Sequence, residues 1–68
     1  MAKSKAKYIK DLIDQAQESI WKNELVIANA EAGNIDIKEA GKAKVVIEKD
    51  EKFIQFLKEQ VKKCESSE

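Results

Sequence analysis

The ten residues from Ala30 to Glu39, AEAGNIDIKE, constrain the chain more than any other stretch. They read as a helix stop, a short turn and a helix start. Gly33 takes without strain the positive φ wanted just past a helix end, and Asn34 tolerates it better than most residues. Asp36 is placed to accept hydrogen bonds from the free N–H groups of a following helix. Glu39, three residues on, completes a capping-box-like pair, with Asp in the place of Ser or Thr. A connection this short makes the two helices antiparallel neighbours. The expected fold is therefore all-α: an antiparallel helical hairpin with helices over about residues 5–32 and 37–64 of a 68-residue single domain. Residues 1–3 are expected to fray and 65–68 to form a disordered polar tail.

Periodicity supports both helices. Ile9, Ile13, Ala16, Ile20, Asn23, Ile27 and Ala30 alternate spacings of four and three, the rhythm of a heptad seam. Ser4 is a suitable N-cap for this helix. Ala40, Ala43, Ile47, Asp50, Ile54, Leu57, Val61 and Cys64 repeat the rhythm after the turn. Folding about the turn pairs Ile27 with Ala43, Asn23 with Ile47, Ile20 with Asp50, Ile13 with Leu57 and Ile9 with Val61. Each helix would be roughly 40 Å long at about 1.5 Å per residue. Tyr8, Leu12 and Val26 widen the seam of the first helix; Val46 and Phe53 widen that of the second. Lys7/Asp11, Glu18/Lys22, Glu48/Lys52 and Glu59/Lys63 have helix-pair spacing. Gly41 lies inside the second helix and costs it about 1 kcal/mol relative to Ala.

Two features exceed what a plain hairpin needs. Asn23 and Asp50 occupy seam positions at nearly the same height. They sit either half-exposed at the edge of a thin seam or in a hydrogen-bonded layer that fixes register or oligomer state. Trp21, Leu25, Val45 and Phe56 lie off the seam, and a lone hairpin leaves them largely in water. Exposed apolar surface of that kind marks an interaction site, and Trp is enriched at binding hot spots.

Composition excludes more than it assigns. The chain has 13 Lys, 13 acidic residues and no His, Arg, Pro or Thr. Net neutrality removes any global field toward nucleic acid or an anionic membrane. Lack of His removes the usual neutral-pH base and the commonest metal ligand. Lack of Arg removes the bidentate fork for phosphate or guanine. The single Cys64, beside Lys62 and Lys63, reads as a structural residue, and a reducing cytoplasm is its simplest setting. No signal peptide and no membrane-length apolar run is read. No cofactor, metal or catalytic set is expected, and the carboxylates read as solvated faces.

The function expected is that of a small non-enzymatic interaction module: an inhibitor, adaptor or assembly factor. It would self-associate, most simply as a dimer forming a four-helix bundle, through the seam and its flanks. Its Trp21, Leu25, Val45 and Phe56 surface would then meet an unidentified protein partner. The alternatives are a dimeric bundle binding RNA or DNA along a lysine-lined face, or an oligomer sequestering a small molecule or nucleotide. The shape is similar to that of small plasmid-encoded RNA-binding bundles, without a matching motif. The N-terminal lysines, Lys3 to Lys10, make the best local case for nucleic acid, and it is not favoured.

Overall fold

A computed structural model of the protein describes residues 4–66. They form two helices, α1 (Lys5–Glu31) and α2 (Lys38–Ser66), with no strand among the described residues. The helices lie side by side as an antiparallel hairpin, a lath of 51 × 23 × 11 Å. The expected fray at residues 1–3 lies outside the described residues, as do residues 67 and 68 of the expected tail.

Each helix start is capped by a side chain. The Lys7 N–H donates to Ser4 Oγ at 3.1 Å, and Ser4 holds the extended backbone of an N-cap. At the second start the Lys38 N–H donates to Asp36 Oδ1 at 3.0 Å. The capping box is only half built. The Glu39 carboxylate turns to Lys42 Nζ, 3.6 Å away, and among the described residues no bond returns from it to the Asp36 N–H. The end of α1 is a Schellman closure. Gly33 has φ +84°, its N–H donates to the Ala30 carbonyl at 3.0 Å, and the Asn34 N–H reaches back to the Asn29 carbonyl at 3.1 Å. An apolar contact often braces this motif between the same two positions. Here Asn34 Nδ2 donates to Asn29 Oδ1 at 2.9 Å instead. α1 accordingly stops at Glu31, one residue before its expected end.

α2 runs two residues past its expected end, so Glu65 and Ser66 are helical rather than part of a tail. Two contacts hold this last turn: Lys10 Nζ to Glu65 Oε2 at 3.4 Å, and Ser66 Oγ donating to the Lys63 carbonyl at 3.4 Å.

The core is a single seam, and Ile9 meets Val61 in it as expected. Ile9, Leu57 and Val61 form one buried cluster, with Leu12, Ile13 and Cys64 packed against it. Ala16, Ile20 and Ile54 form a second, with Ile13 and Ile47. Ile20 packs with Ala16 and Ile54 in this cluster. Toward the turn only Ala30, Ala40 and Ala43 are buried, so the backbones meet over small side chains there.

The two glycines differ in what they do. Gly33 needs its positive φ, whereas a Cβ at Gly41 would meet nothing within 4 Å. Gly41→Ala should raise stability by about 1 kcal/mol, and Gly33→Ala should lower it by a similar amount. Thermal unfolding followed by circular dichroism checks both; an upward shift for Gly33→Ala contradicts the turn described here.

Candidate functional site: two unlike faces of one layer

The turn and the seam together fix which flanks meet. In α1, Ile13, Ile20 and Ile27 form one row of the seam and Ile9, Ala16, Asn23 and Ala30 the other. In α2 the corresponding rows are Ala40, Ile47, Ile54 and Val61, and Ala43, Asp50, Leu57 and Cys64. Residues three or four apart share a helix face, so each row has its own flank. In an antiparallel pair like flanks adjoin. The Lys10–Glu65 ion pair joins the two flanks beside the first rows and confirms the arrangement. The lath thus has two broad faces.

The first face carries Tyr8, Leu12, Ser19, Lys22 and Val26 from α1. From α2 it carries Val46, Lys49, Phe53, Phe56 and Lys63. Leu12 and Val26 are half-buried along the crevice between the helices. Val46 and Phe53 border them at 38% and 44% exposure, and Tyr8 and Phe56 stand further out. We call this the apolar face. All five side chains expected to widen the seam (Tyr8, Leu12, Val26, Val46 and Phe53) lie on it.

The second face is polar and mixed in sign. It holds an open groove lined by Gln17, Ile20, Trp21, Glu24, Glu51, Lys52, Ile54, Gln55 and Lys58. Trp21 is 57% exposed at its edge. The four off-seam apolar residues are all exposed, as expected of a lone hairpin, but they do not form one surface. Trp21 is on the polar face and Phe56 on the apolar face. Leu25 and Val45, at 71% and 50% exposure, stand on opposite outer edges of the lath. Leu25 borders a shallow hollow among Gln15, Glu18, Ser19 and Lys22, all from its own helix. The reason is antiparallel geometry: equal height along the rod does not mean equal side of it. Ile35 and Ile37, at the turn, are two further exposed apolar residues, at 37% and 62%, that the heptad count passes over.

Asn23 and Asp50 are both half-buried, on the side of the seam that leans toward the apolar face. No bond joins them. Asn23 Nδ2 donates to the Ser19 carbonyl one turn back at 2.8 Å, so this donor is used within α1. Asp50 Oδ2 is buried without a hydrogen-bond partner. A carboxylate oxygen in that state costs stability.

Of the expected helix pairs, Lys7–Asp11 forms at 3.1 Å. Lys22, Lys52 and Lys63 have no carboxylate within ion-pair range among the described residues. The N-terminal lysines divide between the two faces. Lys5 lies on the apolar face, Lys7 and Lys10 lie on the polar one with acidic partners, and Lys3 is outside the described residues. Among the described residues no group of three His, Cys, Asp or Glu side chains converges on a point that could hold a metal ion, and no helix is long and apolar enough to cross a membrane. Cys64 is half-buried against the Ile9, Leu57 and Val61 cluster.

No family model, no curated protein and no solved structure matches this chain.

Replacing Asp50 by Leu should stabilise the hairpin by about 1 kcal/mol, because it removes an unsatisfied buried oxygen and extends the seam. A lower melting temperature for Asp50→Leu would mean that the carboxylate holds the helices in register. Trp21→Ala should leave the melting temperature within about 2 °C of the parent, since a mostly exposed side chain adds little to the fold.

Proposed function

We propose that this chain is a non-enzymatic protein-interaction module and that the apolar face is its contact surface. One observation carries this: all five seam-widening apolar residues, with Phe56 beside them, fall on one side of a lath 11 Å thick. Helical domains bury apolar faces by packing a second layer on the first, and a single pair of helices supplies one layer only. The stripe runs along a molecule 51 Å long and 23 Å wide. Either a second hairpin, giving a four-helix bundle, or a helix of another protein completes the layer. Trp21, on the other side, is free to serve a separate contact.

Nucleic-acid binding is the second reading. What favours it is the mixture of Tyr8, Phe53 and Phe56 with lysines on one face, since aromatic rings stack on bases and cations follow the phosphates. Against it stand Leu12, Val26 and Val46 at the centre of that face, which offer nothing to a base edge or a phosphate.

Phe53→Lys is the direct test. It should leave the helical circular dichroism unchanged and abolish association measured by sedimentation velocity, whether with a second copy or with an added helical peptide. Trp21→Ala should leave that association intact. An association lost with Trp21 and kept with Phe53→Lys moves the contact surface to the polar face and overturns the proposal.

A further inference from the structure

The charges on the two faces are not shared out evenly. On the apolar face the lysines are Lys5, Lys22, Lys42, Lys49 and Lys63; the acidic residues beside them are Glu39, 3.6 Å from Lys42, and, at the outer margin, Glu18, which lines one hollow with Ser19 and Lys22. Asp50 adds one carboxylate at the edge of the seam. The polar face carries Lys7, Lys10, Lys44, Lys58 and Lys62 against Asp14, Glu24, Glu31, Glu48, Glu51 and Glu65. A chain with no net charge therefore presents its apolar surface inside a cationic rim. Among the described residues Lys5, Lys22, Lys49 and Lys63 have no carboxylate within ion-pair range.

That rim discriminates between occupants. Two copies meeting through this face would bring together two surfaces on which lysines outnumber carboxylates, and like charges at a rim penalise the wrong partner. An acidic border would be complementary. Leu12 and Val26 of α1 and Val46 and Phe53 of α2 lie on adjoining flanks, so they form one apolar stripe along the line where the two helices meet. An apolar stripe along the junction of two helices suits one more helix, read through apolar side chains at helical spacing. The helices that carry it are 27 and 29 residues long. Resting on the contact surface argued above, we propose that the apolar face binds one amphipathic helix of a different protein, apolar on its inner stripe and flanked by Glu or Asp, to form a three-helix bundle.

The experiment uses three probes on the purified chain: two synthetic amphipathic 28-residue helices that share one leucine stripe, one flanked by Glu and one by Lys, and vesicles rich in phosphatidylserine. Sedimentation should show the chain alone as a monomer at about 50 μM, a concentration at which stable dimers of standard interface size persist. The Glu-flanked helix should bind, at least about tenfold more tightly than the Lys-flanked one, and lose affinity as salt rises through the range where the Debye length falls below about 10 Å. The double variant Lys22→Glu/Lys49→Glu should invert that preference while the helical circular dichroism stays the same. Three results overturn the acidic-helix proposal: a dimer dispersed by Phe53→Lys, equal binding of both peptides, or vesicle binding stronger than that of the Glu-flanked helix. The first of these leaves the apolar face as the contact surface. Peptide binding that depends on Trp21 and not on Phe53 removes both.

Discussion

A two-helix lath has room for one row of interdigitated side chains, and everything else about the molecule answers to that constraint. Each helix can hide a stripe about two residues wide per heptad against its neighbour. Whatever apolar surface lies beyond the stripe remains outside. The buried residues are accordingly small in number and modest in size. They run from Ile9, Leu57 and Val61 at the open end to Ala30, Ala40 and Ala43 at the turn. A core this thin stabilises little by itself, and chains of this size usually complete their burial with another subunit or partner.

The turn has consequences beyond joining the helices. Gly33 at φ +84° and the Asn29–Asn34 bonds stop α1 at a definite residue, and Asp36 starts α2 at another. Those two residues set the register, and the register decides which flank of α1 adjoins which flank of α2. A slip of one residue would rotate Phe53 and Val46 away from Leu12 and Val26 and break up the stripe. The polar bracing of the turn by Asn34 is also why this end needs no apolar contact of its own, and why Ile35 and Ile37 can stay exposed.

The hairpin was legible in the sequence because its signals are local. Glycine, asparagine and aspartate at the turn, and spacings of three and four on either side, each have one cheap structural solution. The meeting of Ile9 with Val61 followed from the turn by counting. The sidedness of the flanks was harder to read. Trp21, Leu25, Val45 and Phe56 share heights in the folded rod, and grouping them by height treats the hairpin as flat on one side only. Separating them requires following each flank around its own helix and then reversing one helix, a step that composition and spacing do not perform. The fate of Asn23 was equally invisible, since its amide could bond across the seam or back to its own helix. Ser19, one turn earlier, offers the nearer carbonyl.

Net charge illustrates the same difficulty. Thirteen lysines against thirteen carboxylates describe a neutral chain, and the acidic residues interleaved with Lys42, Lys49 and Lys63 along α2 give no hint of segregation. On a helix, neighbours in sequence point about 100° apart, so interleaving in the chain is what sorts two signs onto two faces. A lysine rim suits an exposed apolar stripe in two ways. The alkyl stems lie along the apolar surface while the ammonium groups stay in water. The shared sign also resists stacking of one hairpin on the same face of another, as inward-facing charges resist edge pairing in sheets. Neutrality elsewhere then comes from the carboxylates of the opposite face and the outer edges. Segregation of this kind lets a chain of zero net charge keep an apolar stripe bordered by lysines on one face and mixed charge on the other.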